Sequence, residues 1–251
     1  MTRKIGLFAF CFGLILAIFT LQAERLKAYS NSEIVPQPDV MCDPDLGCLL
    51  YTVLQKTVDY DTILYNRKDT SKDWTKEFMF GCPNQALITI GAEGCGVASQ
   101  ATIASVFMND SIDPGEINTI VTTSCSYSGN EFRNAYPTIG FIYSLDHLSL
   151  SGKSKQYIMN LLAPKVASGK LIIMRSTKKV IDVETGKISY PGHFEVVDGF
   201  KGDVTYWQYG ITVNNVTELF MNDSSKLDFT LTSFLANYPI PAYADVFTDL
   251  D

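Results

Sequence analysis

The sequence predicts an α+β protein, with a helical first half packed on a C-terminal antiparallel β-sheet, and three observations carry that prediction. The segment "VASQATIASVFMN" sets apolar or small residues at 97, 98, 101, 103, 104, 106 and 107, the recurrence of one helix face. Beyond Lys170 the period changes to two, through "KLIIMRS", "HFEVVDGF", "VTYWQYGITV" and "ELFMND", which is the pattern of strands. The chain has 251 residues, 46% hydrophobic and 19% charged, enough for one sizeable core. Helices first and strands later, without repeats, is an α+β layout.

Taken in order, the chain opens on basic "MTRK" and continues without a charge from Ile5 to Ala23. Small residues at Ala23 and Ala28, each two places after a leucine, offer cleavage points, so residues 1–28 are read as a secretory signal peptide. The competing reading is an uncleaved anchor, because 19 uncharged residues just suffice to span a bilayer. Removing residues 1–28 takes away four basic side chains and one acidic one, moving the formal charge from −7 to −10. An acidic chain without a basic run disfavours nucleic acid or an anionic membrane surface as partner. The expected location is therefore extracellular or in the cell envelope, with no membrane association after signal cleavage and a monomeric state.

Residues 29–60 read as an N-terminal extension: polar "SNSEIVPQPD", the loop "CDPDLGC", then "LLYTVLQKTV" as one short helix. Residues 61–251 have the composition of a compact domain. In it, "DPGEINTIV" starts a helix with Asp113 as cap and Pro114 at the first helical position. "SKQYIMNLLAPKVAS" is helical, with Pro164 marking a break or kink and Gly169 ending it. "KKVIDVETGKISY" carries a turn signal at Thr185-Gly186.

Cysteine arithmetic sharpens the functional question. Cys11 lies in the signal, leaving Cys42, Cys48, Cys82, Cys95 and Cys125. An odd number outside the cell leaves one thiol unpaired. A pairing of Cys42 with Cys48 and of Cys82 with Cys125 leaves Cys95, although sequence does not set connectivity. With only His147 and His193 in the chain, and no cysteine pair at zinc-finger spacing to them, a structural zinc site is not expected.

Cys95 stands in "GAEGCGVASQ", between two glycines at the mouth of a helix. The field of a helix N-terminus favours a thiolate. Gly94 and Gly96 open the backbone to a substrate carbonyl and leave the Cys95 amide to donate to an oxyanion. An inert buried cysteine at a tight turn fits the stretch equally well. A nucleophilic thiolate also needs a base. His193, in "YPGHFEVVDGF", heads a strand just after a Pro-Gly turn, whereas His147, in "SLDHLSL", precedes a polar loop and is read as facing solvent.

The ordered series "EGCGVASQATIASVF", "SIDPGEINTIV", "SYSGNEF", "PGHFEVVDGF" and "ELFMNDSSK" resembles the C39-like group of papain-fold cysteine peptidases, without their transporter, over roughly residues 61–235. That resemblance implies a papain-like fold, Cys95 as nucleophile, His193 as general base and Asp223 as the residue that orients the imidazole. Asp198, five residues beyond His193 on one strand, lies about 16 Å along it and on the other face, so it is set aside. The chain departs from the family at Val97-Ala98 and at Ser224, where Pro-Thr or Pro-Ser and Pro are usual. It also lacks the upstream glutamine that supplies the second oxyanion donor. Asn66 and Gln85 are the expected substitutes; losing such a donor costs about 10²–10³ in rate.

The reaction class implied is amide hydrolysis of a peptide or protein substrate, with no metal and no organic cofactor. A binding module that keeps the groove and not the chemistry is the second reading, motivated by the missing glutamine. A structural surface protein with Cys95 in a disulfide is the third. Sequons stand at Asn109, Asn215 and Asn222, and Trp207 is read as core packing.

Overall fold

The computed structural model describes residues 39–43, 47–59, 65–80, 82, 88–122, 125, 127–207, 210–225 and 230–250. The signal segment 1–28, Gln85 and the Trp207 side chain lie outside the described residues. Mixed helix and antiparallel sheet make the α+β class that the change of period predicts. No helix among the described residues is long and apolar enough to cross a membrane.

The helical part comprises α1 (Ile90–Glu93), α2 (Cys95–Met108), α3 (Pro114–Ile120), α4 (Gly129–Ala135), α5 (Tyr143–Asp146) and α6 (Lys155–Ala167), with α7 (Leu231–Asn237) later in the chain. Local chemistry starts them. Asp113 caps α3 by accepting from the Glu116 N–H, with Pro114 at its head, and Ser154 caps α6 by accepting from Tyr157. Pro164 neither breaks nor ends α6; it sits in its last turn, and Gly169 at φ +82° terminates the chain's helical course.

The sheet has eight strands: β1 (Asp39–Asp43), β2 (Gly47–Asp59), β3 (Ile139–Gly140), β4 (His147–Ser149), β5 (Leu171–Thr177), β8 (Gly192–Trp207), β9 (Gly210–Asn222) and β10 (Ile240–Asp249). A separate hairpin joins β6 (Val180–Ile181) to β7 (Ile188–Ser189), its turn holding Gly186 at φ +68° where Thr185-Gly186 predicts one. Every pairing is antiparallel, and β8 is the hub. Its first half pairs β5, its second half pairs β2 on the same edge, and β9 lies along its other edge. The segments "HFEVVDGF" and "VTYW" are thus one long strand rather than two.

One expectation is overturned. "LLYTVLQKTV" is not a helix but most of β2, paired to β8 from Thr52↔Tyr206 to Asp59↔Gly199. Its Tyr, Thr and Val residues favour a pleated surface, and the open edge of β8 supplies the ladder. The sheet therefore continues into residues 39–59, which the sequence reading set apart as an extension ending at 60. The register of β1 and β2 sets Cys42 opposite Cys48.

The core sits between the sheet and the helices. Residues Cys95 to Ser105 of α2 are all buried, so this helix is enclosed on every side rather than showing one polar face. Its small residues allow that: Ala98, Ala101 and Ala104 let neighbouring backbones close in. A disulfide joins Cys82 to Cys125, and Cys95 is the free cysteine among the described residues.

Candidate active site

Cys95 is the first residue of α2, and its place is set by the short turn before it. Thr89 caps α1 by accepting from Ala92 N–H, and Gly94 N–H returns to Ile90 O at 2.8 Å. Packing alone already calls for glycine at 94. A Cβ there would lie 2.5 Å from Ile90 Cγ2 and 2.6 Å from Ile90 O. Gly94→Ala is therefore expected to lose about 1–3 kcal/mol of stability and to shift Cys95. Denaturant unfolding checks this; a loss under about 0.5 kcal/mol would show that the turn yields without cost.

His193 is the second residue of β8, opposite Ser176 of β5, and is 2% exposed. Its Nε2 donates to Asp223 Oδ1 at 2.8 Å. The ring stacks on Tyr238 at 5.1 Å between centroids, and Phe234 meets it edge-on at 6.2 Å. With Nε2 engaged, Nδ1 is the ring nitrogen left for the Cys95 thiol, whose proton affinity the imidazole lowers; Cys95 Sγ itself lies 3.8 Å from Glu93 O. Asp223 follows β9 directly, fully buried, and its carboxylate accepts the Ser225 N–H at 2.8 Å and the Ser225 hydroxyl at 2.7 Å. Elements distant in sequence thus bring the imidazole and its carboxylate together in the core that also buries the free thiol. Asp198 lies at a register irregularity of β8, and Asp223 is the carboxylate bonded to the ring.

The charges follow the geometry. Burial pushes the Cys95 thiol up, but the His193 hydrogen bond and charge, aided by Arg67, outweigh it and hold it below its ordinary value. Burial pulls His193 down, yet Asp223 and Cys95 raise it to about 9. Asp223 is held well below the usual carboxylate range: burial opposes ionisation, and the bonds from His193 and Ser225 overcome it. Burial and the Cys95 charge raise the Tyr238 hydroxyl. The shifts run in opposite directions, thiol down and imidazole up, and both favour a charged pair beside the Asp223 carboxylate.

Two features escaped the sequence reading. Glu195 is fully buried, with Oε1 3.5 Å from His193 Nε2. Strand alternation is the signal that finds it, since residues two apart share a face. His193, Glu195 and Asp223 bring ligand atoms within 4.8 Å of one another, the arrangement a metal ion needs. The 2.8 Å contact between Nε2 and Asp223, however, is a hydrogen-bond length that a proton fills and an ion would have to open.

The second feature is Arg67. Asn66 turns its amide oxygen to the Lys68 N–H at 3.1 Å, closing its own loop. Its neighbour Arg67 is the side chain that reaches the Cys95 turn, through Nη1 to Gly91 O at 3.2 Å and to Ala92 O. No sequence signal distinguishes these adjacent residues.

His147 is only partly turned to solvent, its side chain 23% exposed. Its Nδ1 meets Asp245 Oδ1 at 2.6 Å, and its ring packs against Tyr143 at 4.4 Å and Tyr243 at 4.6 Å. Tyr127 donates its hydroxyl to the other Asp245 oxygen. Strand pairing of β4 with β10 makes this second histidine–aspartate pair, but no free thiol stands beside it. Comparisons with protein-family models, with curated proteins and with solved structures return no match for this chain.

Proposed function

We propose that this protein is a secreted cysteine peptidase-like hydrolase that cleaves amide bonds through Cys95, His193 and Asp223, related to the C39-like group of the papain fold. The observation that carries the reading is the buried His193–Asp223 hydrogen bond beside the buried free thiol of Cys95, with thiol depressed and imidazole raised. That combination of opposed shifts on adjacent groups belongs to nucleophile–base pairs.

In the resting pair the proton already sits on His193. The Cys95 sulfur attacks the amide carbonyl carbon, a C–S bond forms and the π electrons move to oxygen. The oxyanion lies by the start of α2, where the first N–H groups lack intrahelical acceptors. Collapse breaks the C–N bond as His193 gives its proton to the leaving amine. Water, deprotonated by His193, then hydrolyses the thioester. Asp223 holds the ring so that one nitrogen faces sulfur throughout.

A second reading, a peptidase-like module that holds a peptide without cutting it, rests on the 5% exposure of Cys95. Incubating the purified chain with a mixed peptide library separates the two. Hydrolysis that disappears in Cys95→Ser is the expected result. Retained binding with no cleavage, despite a reactive thiolate, would favour the module.

A further inference from the structure

We infer that Arg67 supplies the second positive group of the site, facing both the resting thiolate and the oxyanion, in the place a glutamine side chain takes in papain-like enzymes. The inference rests on the hydrolase reading above. Its basis is the way one residue ties together the two arms of the site. The Arg67 backbone N–H donates to Ser224 O at 2.8 Å, fixing it to the turn that presents Asp223. Its side chain crosses to the turn before Cys95, where Nη1 donates to Gly91 O and Ala92 O. Lys68 Nζ joins at Gly91 O, at 2.9 Å. The carbonyls that α1 turns toward residues 67–68 thus hold a guanidinium three to four residues before the nucleophile.

The electrostatics agree. Arg67 lowers the proton affinity of both Cys95 and Tyr238, so its charge faces the thiol and the hydroxyl beside it. Nε is buried without a hydrogen-bond partner among the described residues, and Nη1 is spent on carbonyls. The remaining guanidinium edge is what meets developing charge. An amide donor offers a dipole; a guanidinium offers a full charge that is always present. In the acylation step it changes no bond: electrons from the carbonyl π bond collect on oxygen, and Arg67 with the Cys95 N–H balances them until C–N cleavage returns them to the carbonyl. The role that sequence gives to Asn66 or Gln85 passes to Arg67.

The test is the pH dependence of Cys95 alkylation by iodoacetamide in wild type, Arg67→Gln and Arg67→Lys. The groups bearing on the thiol are His193, Arg67, Lys68 and Tyr238. Arg67→Gln removes the charge, and Arg67→Lys keeps a charge without the fork. Arg67→Gln is expected to slow alkylation about fivefold at pH 6, to match wild type at pH 9.5, and to lower kcat/KM about 10²-fold. Arg67→Lys is expected to restore the alkylation profile. An unchanged profile in folded Arg67→Gln, beside a low-pH wild type, overturns the Arg67 role and leaves the hydrolase reading standing. A wild-type thiol that titrates only near pH 8.5 overturns both. Should the variants fail to fold, wild type alone decides, through the ratio of iodoacetate to iodoacetamide rates. A ratio above that of free cysteine is expected, since the anionic reagent is drawn to the cation; an equal or lower ratio overturns the inference.

Discussion

His193→Ala is expected to abolish the acid-side reactivity of Cys95 and to cut hydrolysis by about 10³–10⁴-fold. The thiol is enclosed, and burial is the largest influence on it, opposing ionisation. What lowers its proton affinity is chiefly His193. Without His193 the burial is opposed only by the Arg67 charge and the Phe194 backbone, and the thiol moves up. Wild type should alkylate from mildly acidic pH, with the pair persisting until His193 loses its proton near pH 9. The variant should react only in the alkaline range. An identical pH profile for both proteins would show that the imidazole does not govern the thiol, and the catalytic reading would fall with it.

Asp223→Ala is expected to cost roughly 3 kcal/mol of stability at neutral pH, because it strips a buried imidazolium of its principal counter-charge. The sign of the pH dependence is specific. A group raised from 6.5 to about 9 contributes stability that is complete below pH 6.5 and disappears as pH rises through 9. Asp223, held low, contributes above its unfolded value near 3.8 and loses that contribution in acid. The deficit of the variant should therefore be large at pH 7 and shrink at pH 10. Urea unfolding at the two pH values checks it, and an equal deficit at both would assign Asp223 a purely packing role. Glu195, 3.5 Å from the same nitrogen, is the residue positioned to soften the loss, so Asp223→Ala combined with Glu195→Gln should be worse than either alone.

How much of this was legible beforehand differs by kind of feature. Helix starts were: Asp113 with Pro114 and the Cys95 turn are local chemistry, settled within a few residues. The grouping of Cys95, His193 and Asp223 is what the C39-like resemblance implies, and in the structure Asp223 is the carboxylate bonded to His193. The β2 segment was misread because its pattern is ambiguous alone; only the free edge of β8, some 150 residues later, makes it a strand. His147 was misread for the same reason, since the carboxylate that holds it belongs to β10.

By itself the sequence determined the fold class, the odd thiol, and the residue types able to make and hold a thiolate. Those depend on spacing and composition, which act over one turn or one strand. The tertiary structure decided which cation meets the carbonyls before Cys95, which carboxylates flank His193, and that a side chain at Gly94 would collide with Ile90. Such choices are matters of a few ångströms between elements far apart in the chain. Asn66 and Arg67 are adjacent in sequence, yet only the turn at Ser224 and the carbonyls of Gly91 and Ala92 determine which of them reaches the turn before Cys95.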